Sequence, residues 1–207
     1  MQSIEKAARL AVSVLPKIIH LIKPGVSEKQ IAQEIKKYIK PAFRIIVASG
    51  KRSAKPHGFA ANKKLKRGDL VVIDFGAVYN GYRSDISRTY VVGKPTKKQR
   101  KLLAIIKMSQ AKAVRVVRAN RRCSDVDFAA RQYIKKQGFG KNFIHSTGHG
   151  IGRQVHQAPK ISKGNRRRLR VGDVITIEPG IYIKGYGGVR IEDMVVVTPK
   201  SCKVLTR

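Results

Sequence analysis

The chain has 207 residues and a formal net charge of +33, because 45 Lys and Arg face only 12 Asp and Glu. Its hydrophobic fraction of 42% excludes a disordered basic tail, and the lack of a long apolar run excludes a membrane span. Two cysteines exclude both a disulfide framework and a cysteine-rich zinc site. The first helix-like stretch is charged and lacks the plan of a signal peptide, so we expect a cytoplasmic protein.

Apolar spacing and Gly/Pro punctuation predict four helices and four strands. The helices are expected over residues 4–22, 27–40, 97–118 and 124–137, and the strands over 70–75, 90–92, 174–177 and 194–198. Pro16 lies inside the first helix and is a candidate kink. Ser27 and Ser124 are predicted N-caps, because each is followed three residues later by a Gln or an Asp.

The chain contains an internal repeat at an offset of 104 residues. Leu65–Gly81 is matched by Leu169–Gly185, and Asp74 of the first copy aligns with Glu178 of the second. Each half therefore reads as two helices, a loop and a β-hairpin. A period this long is not that of a solenoid, so we expect two similar halves that face each other. Each half would contribute one acid-bearing hairpin.

Acids are scarce in this chain, so the position of each one is informative. Seven of the 12 fall in four β-rich segments: Asp69, Asp74, Asp85, Asp173, Glu178, Glu192 and Asp193. A carboxylate in a strand is ordinarily exposed or paired with a basic side chain, but Asp74 and Glu178 each have apolar residues on both sides. Burying such a carboxylate without a partner or a metal is costly, which weakens the ordinary interpretation.

The first hairpin brings two of these acids together. Asn80-Gly81 predicts a two-residue turn, and pairing outward from it sets Gly76 opposite Asp85. Asp74 then lies on the same face as Asp85, as a diagonal neighbour about 7–8 Å away. Two carboxylates aimed at one spot would repel each other without a cation, so this geometry favours a bound metal.

The second hairpin predicts a matching pair of acids. A three-residue loop over 184–186 sets Glu178 opposite Glu192 on one face. Four carboxylates from the two hairpins carry a charge of about −4, which two divalent cations would balance. Oxygen donors with a histidine suit Mn²⁺, Co²⁺, Fe²⁺ or Zn²⁺, and a metal pair can supply a hydroxide nucleophile at neutral pH.

Histidines near glycine or proline complete the predicted site. His145, His149 and His156 fall within 12 residues in a glycine-rich segment that reads as a loop, and His57 follows a proline. A lone histidine is usually a structural or surface residue, but three so close together among glycines indicate a site. His20 lies in the first predicted helix and is given no role.

These segments resemble the metallopeptidases of the pita-bread fold, namely methionine aminopeptidases, Xaa-Pro aminopeptidases and prolidases. The motifs that carry the likeness are Val47–Gly50, Pro56-His57, Val72–Ala77, Gly81–Thr89, Ser146–Gly152, Ile177–Tyr182 and Gly188–Asp193. The resemblance implies an α+β pita-bread (creatinase/aminopeptidase) fold, in which two pseudo-symmetric halves share a curved antiparallel sheet covered by helices. A single catalytic domain would span 1–207, with halves of about 1–95 and 96–207 and no additional N-terminal domain.

The resemblance also implies a complete set of five metal ligands. Asp85 and Glu192 would bridge two divalent metal ions, Asp74 would hold one of them, and His149 with Glu178 would hold the other. Mn²⁺ and Co²⁺ are the favoured metals, with Fe²⁺ and Zn²⁺ as alternatives.

The catalytic roles come from the same resemblance. Water activated by the metals would attack the carbonyl after the first residue of a peptide, and Glu178 would take and return the proton. The histidines expected to bind the peptide and stabilise the oxyanion are His57, His145 and His156. Arg190 and Asp193 flank Glu192 and are expected to orient metal ligands or to cap the substrate, with a plain salt bridge as the alternative for Arg190.

The wording of the motifs favours one branch of the family. Asp74-Phe-Gly and Glu178-Pro-Gly-Ile-Tyr are similar to the Xaa-Pro branch, so the expected activity is removal of an N-terminal residue before proline. Gly150–Arg153 would also suit a methionine aminopeptidase, which is one alternative. Two departures stand out: Gln157 replaces an acid that is common in the family, and the link between Tyr38 and Arg44 is short. Neither departure affects a ligand.

A different class of function remains as a second alternative, a basic non-catalytic module that binds RNA or the ribosome. The complete ligand set favours an enzyme acting on a peptide substrate. The excess of basic residues still predicts electrostatic, salt-dependent association with RNA or ribosomes, against the alternative that the charge is a bulk property of the chain. No membrane partner is expected, and a homodimer is the oligomeric state that the sequence leaves open.

Overall fold

The computed structural model describes all residues, Met1–Arg207. The helices are α1 (Gln2–Ile18), α2 (Glu28–Tyr38), α3 (Lys97–Val116) and α4 (Cys123–Lys136), with short 3₁₀ segments at Ile19–Leu21, Gly50–Ala54 and Gly140–Asn142. The strands are β1 (Ile46–Ser49), β2 (Leu70–Phe75), β3 (Val78–Tyr79), β4 (Tyr82–Arg83), β5 (Ile86–Val91), β6 (Gly148–Gly150), β7 (Gln157–Ile161), β8 (Val174–Ile177), β9 (Gly180–Ile183), β10 (Gly187–Arg190), β11 (Asp193–Val197) and β12 (Cys202–Val204).

Of the two predicted N-caps, the one for α2 is confirmed and the one for α4 is wrong. Ser27 caps α2 in a full capping box with Gln30. The predicted N-cap at Ser124 is wrong, because α4 begins at Cys123. The backbone N–H groups at this helix start already donate to carbonyls of a neighbouring loop, including that of Asn165, so no side-chain cap is needed. Pro16 lies in the last turn of α1, where the helix ends two residues later in a 3₁₀ turn.

Each half of the chain is built around one antiparallel sheet. The first sheet has the order β1-β2-β5, and the second has the order β12-β11-β8-β6-β7. Side chains of α1 and α2 pack with β1 and β2 in one apolar cluster, and side chains of α3 and α4 pack with β8 and β11 in another. A β-bridge between Ser87 and Glu192 joins the halves. None of the helices is long and apolar enough to cross a membrane.

The first hairpin has the predicted register. Tyr79 pairs with Tyr82 beside the turn, and Asp74 pairs with Ser87 further along, so Asp85 is the diagonal neighbour of Asp74. A Cβ atom at Gly76 would lie 1.6 Å from the Ser84 carbonyl oxygen, so only glycine allows the strands to meet here.

The second hairpin also has the predicted register. Ile183 pairs with Gly187 across a three-residue loop, and Ile177 pairs with Asp193 on the far side of the two acids. Glu178 and Glu192 therefore face each other, as the sequence predicted. The first hairpin thus presents its two acids as diagonal neighbours, and the second presents them directly opposite each other.

Candidate active site

The two hairpins and β6 meet around one cavity of about 1060 Å³. Asp74 comes from β2, Asp85 from the residue before β5, and His149 from β6. Glu178 lies between β8 and β9, and Glu192 lies between β10 and β11. All five side chains line the cavity. Residues far apart in the sequence are thus gathered because the two halves face each other.

His149 is held among the acids by the strand that carries it. Within the segment predicted as a loop, only Gly148–Gly150 differs, because it forms the short strand β6, which pairs with β7 and β8. A Cβ atom at Gly148 would lie 1.9 Å from the Thr176 carbonyl oxygen, so glycine is required for this close approach. The His149 Nε2 atom lies 3.3 Å from Glu178 Oε1 and 3.8 Å from Asp85 Oδ2.

The donor set fits divalent metal ions. Ligand atoms of Asp85, His149 and Glu192 all lie within 4.8 Å of one another. Three buried carboxylate oxygens have no hydrogen-bond partner: Asp74 Oδ1, Asp85 Oδ1 and Glu192 Oε1. Leaving such charged atoms unpaired in the interior is costly, whereas cations bound between them would satisfy all three. The chemistry of the site is therefore suited to divalent metal ions.

Arg190 is buried beside the five candidate ligands. Its Nη2 atom donates to Asp74 Oδ2 at 2.5 Å, Nη1 donates to the Tyr182 hydroxyl at 2.7 Å, and Nε donates to Ser87 Oγ at 2.8 Å. Ser87 in turn donates to Glu192 Oε2 at 2.8 Å. The guanidinium thus fixes one acid directly and a second one through a serine.

Three further histidines line the cavity: His57, His145 and His156. The ring of His156 lies 4.3 Å from that of His149, measured between centroids. His145 Nε2 lies 2.9 Å from the Tyr182 hydroxyl, and burial lowers the pKa of this imidazole to about 4. His145 is therefore neutral at pH 7 and available for hydrogen bonding.

Residues 2–199 match the sequence model of metallopeptidase family M24. The chain belongs to metallopeptidase family M24. It is 46% identical to a Xaa-Pro dipeptidase of Pyrococcus furiosus, over 100% of this chain and 61% of that relative. It superposes on a Xaa-Pro dipeptidase of Bacillus anthracis with a TM-score of 0.98 and 42% identity, over 100% of this chain and 60% of that one. An X-Pro aminopeptidase from Thermotoga maritima gives 0.96 at 39% identity, over 100% and 60% of the two chains.

These M24 relatives confirm the predicted α+β pita-bread fold and the Xaa-Pro branch. The chain spans about 60% of the length of the relatives it matches. Membership of a metallopeptidase family agrees with a site for divalent metal ions. The acids of the internal repeat, the two hairpin registers and the family match thus all concern residues that line the same cavity.

The electrostatics of this M24 site favour bound cations. Burial, followed by the charge of Glu192, raises the pKa of Asp85 well above its usual value. Burial and the charge of Glu178 do the same to the pKa of Glu192. Burial raises the pKa of Glu178 itself to about 8, and lowers that of His149 to about 4. A neutral imidazole is the form that binds metal, and bound cations would favour the ionised carboxylates.

Asp193 lies away from the cavity. Its carboxylate accepts hydrogen bonds from Arg88 at 2.8 Å, Gln110 at 2.8 Å and Thr206 at 2.9 Å. Arg88 also donates to the Glu192 carbonyl. Asp193 is therefore linked to the metal-ligand set through Arg88 and the backbone, and has no contact with the space where a substrate would lie.

Two residues of the site were not predicted from the sequence. Ser87 and Tyr182 bond to Arg190, and Tyr182 also contacts His145. Tyr182 falls within the Glu-Pro-Gly-Ile-Tyr motif, which is the signal that could have indicated it. Ser87 falls within the Gly81–Thr89 motif, two residues after Asp85, which is the corresponding signal.

We expect the metal-free M24 chain to lose stability as pH rises from 6.5 to 8. The pKa of Glu178 is about 8 when folded against an ordinary value of 4.5, so in this window the folded state keeps a proton that the unfolded state has released. Stability then falls with rising pH. The lowered pKa values of His145 and His149 oppose this only below 6.5. Thermal unfolding with and without Mn²⁺ tests the point, and a metal-free Tm that is flat or rising over this window would contradict it.

Proposed function

We propose that this chain is a metal-dependent exopeptidase that cleaves the bond between an N-terminal residue and proline. The observation that carries the proposal is the gathering of five ligand side chains, three of them with unpaired buried oxygens, in one cavity. The names of the M24 relatives, Xaa-Pro dipeptidase and X-Pro aminopeptidase, support the Xaa-Pro preference.

The metal ions would be held by the predicted ligand set, Asp74, Asp85, His149, Glu178 and Glu192. When bound, a pair of divalent cations supplies a Lewis acid for the scissile carbonyl and a source of hydroxide at neutral pH. Mn²⁺ or Co²⁺ is the favoured identity, since the set combines carboxylate oxygens with one imidazole.

The protein side chains would manage the proton and the peptide. Glu178 lies at the cavity wall and takes the proton from the attacking water, then returns it to the leaving imino group of proline. His57, His145 and His156 bind the peptide and donate to the oxyanion. Arg190 holds Asp74 in place through their hydrogen bond, so that the ligand set is formed before the substrate enters.

A panel of three substrates tests this function: Ala-Pro, Ala-Pro-Ala and Met-Ala-Ser, each with Mn²⁺ or Co²⁺. We expect cleavage of the two Ala-Pro substrates, and the ratio between them separates dipeptidase from aminopeptidase action. Cleavage of Met-Ala-Ser alone would instead establish the methionine aminopeptidase alternative. Failure to cleave any of them, with metal bound, would refute the proposed activity.

A specific surface favours electrostatic association with RNA as a second property. Arg122 and Arg168 form an isolated β-bridge. The cavity beside this bridge is lined by four arginines: Arg118, Arg121, Arg122 and Arg168. Asp125 is the only acid in that lining. Arginine binds phosphate through two parallel hydrogen bonds, so we propose this arginine patch as the phosphate-binding surface.

We expect the double variant Arg122→Gln/Arg168→Gln to weaken binding to RNA or ribosomes at low salt. Each lost phosphate contact should reduce the slope of log affinity against log salt by about 1. Co-sedimentation with ribosomes between about 50 and 200 mM salt measures this. The control is Lys23→Gln/Lys29→Gln, which removes the same charge from exposed positions elsewhere. An equal loss in both variants would make the charge a bulk property and overturn the patch.

A homodimer and a cytoplasmic location stay predictions.

A further inference from the structure

Two buried acids take no part in the chemistry proposed above. Glu28 lies at the start of α2 and Asp127 in the first turns of α4, and their exposed fractions are 0% and 1%. Buried carboxylates are rare unless they are paired, and this chain has few acids to place. Each helix is the second helix of its half, so the two residues occupy related places in the fold.

Asp127 fixes the segment that carries His145. Its Oδ1 atom accepts from the Thr147 hydroxyl at 2.8 Å and from the Thr147 N–H at 3.2 Å. Arg131 donates to both carboxylate oxygens of Asp127 at 2.8 Å. The same guanidinium donates to the carbonyl of Phe143 at 3.0 Å and to that of His145 at 2.8 Å. The backbone on both sides of the histidine is thereby tied to α4.

Glu28 fixes the corresponding segment of the first half. Its Oε1 atom accepts from the Ser49 hydroxyl and the Ser49 N–H, both at 2.8 Å. Its Oε2 atom accepts from Arg52 Nε at 3.2 Å and from the Ala61 N–H at 3.1 Å. Arg52 also donates to the carbonyl of Phe59 at 2.7 Å. These bonds hold residues 49–61, and the histidine of this half lies within that range.

The two arrangements share one design. In each, a buried carboxylate on a helix accepts the hydroxyl and N–H of a Ser or Thr, and pairs with an arginine that reaches a carbonyl near a histidine. We propose that Glu28 and Asp127 are positioning residues, which hold His57 and His145 at the cavity wall. The proposal rests on the proposed function, because it assigns the two histidines a part in hydrolysis.

Stability alone does not account for these two ion pairs. A buried salt bridge often contributes no more than well-packed apolar residues of the same size. Irregular backbone around a functional side chain, by contrast, needs supporting hydrogen bonds to hold it within a fraction of an ångström. Thr147 supports this reading, since its carbonyl also accepts the N–H of Glu178 at 2.7 Å.

The test compares Asp127→Asn with Asp125→Asn, which alters a partly exposed acid on the same helix, using Ala-Pro with bound Mn²⁺. We expect Asp127→Asn to lower kcat/KM by about 10–100-fold, chiefly through kcat, while the control stays near wild type. Glu28→Gln should lower kcat/KM by a similar factor, while its control on α2, Glu34→Gln, should stay near wild type. Loss of Tm with kcat and KM unchanged would show a merely structural role and overturn the proposal.

A double-mutant cycle separates positioning from general damage. In a His145→Ala background, Asp127→Asn should cost little further activity, because the residue that it positions is already gone. The same holds for Glu28→Gln in a His57→Ala background. If the fold-losses of activity from the two single substitutions multiply in full in both cycles, the proposal is overturned. Thr147→Val removes only the hydrogen bond from the Thr147 hydroxyl to Asp127. It replaces Asp127→Asn in the cycle if that variant does not fold.

A readout without substrate keeps this proposal distinct from the proposed function. The ring signals of His145 in NMR spectra of the metal-free chain should shift in Asp127→Asn and stay unchanged in Asp125→Asn. If wild-type chain hydrolyses none of the panel substrates but the ring signals shift, the activity is wrong and the positioning contact stands. Unchanged ring signals in Asp127→Asn overturn the contact whatever the activity.

Discussion

Glu178→Ala is expected to abolish Ala-Pro hydrolysis while the chain remains folded. The substitution removes both a metal ligand and the group that would carry the proton, so kcat should fall by at least about 10³-fold. Above pH 8, where Glu178 is ionised, the metal-free variant should unfold at the same temperature as wild type or higher, because the loss of one buried carboxylate relieves repulsion on Asp85 and Glu192. Steady-state kinetics and thermal unfolding measure the two effects.

Asp173→Asn is the matched control for this prediction. Asp173 lies next to the start of β8, the strand that leads to Glu178, and contacts Arg167 at 3.7 Å outside the cavity. Its variant should keep full activity. Retained hydrolysis by metal-loaded Glu178→Ala would refute the assignment of Glu178 as ligand and proton carrier. A Tm of the metal-free variant well below that of the metal-free wild type would refute the repulsion between Glu178 and the other acids.

Arg190→Leu is expected to have the largest effect on stability. The Arg190 side chain is only 3% exposed and is the ion-pair partner of Asp74, so its removal leaves an uncompensated charge in the interior. Breaking a buried pair by removing one partner costs about 3–5 kcal/mol. The loss should be greatest without metal, since bound cations would still balance Asp74. Denaturant unfolding with and without Mn²⁺ measures the difference.

Arg190→Lys separates charge from geometry. A lysine ammonium keeps the positive charge but lacks the planar fork that reaches Asp74, Tyr182 and Ser87 together. We expect it to recover part of the stability and little of the activity. An Arg190→Leu chain as stable as wild type in the metal-free state would contradict the account of this ion pair.

The predicted part of the site depended on the scarcity of acids. In a chain this basic, Asp74 and Glu178 could be singled out because each has apolar residues on both sides, and the turn signals then fixed their partners. The registers of both hairpins follow from local rules of turn length and alternation. The positions of the four hairpin acids were therefore accessible from the sequence once the internal repeat had been recognised, whereas the fold and the ligand set were implied by the resemblance to the pita-bread metallopeptidases.

The parts that the sequence did not yield depend on contacts between distant segments. The strand around His149 is only three residues long, Gly-His-Gly, so it has no alternation that could reveal it. Asp127 has the spacing of a capping residue, but its carboxylate is taken by Thr147 from another segment. Ser87 bonds across the junction of the halves, which no local pattern encodes.

A manganese titration of the metal-stripped chain tests the central claim most directly, with bound metal and Ala-Pro hydrolysis measured on the same samples. The account predicts no hydrolysis in the presence of a chelator, and activity that rises with bound Mn²⁺ to a plateau at about two ions per chain. Asp85→Asn should lower both the plateau and the bound metal. Hydrolysis of Ala-Pro by the stripped chain, or full activity of Asp85→Asn without bound metal, would contradict a metallopeptidase built on these five residues.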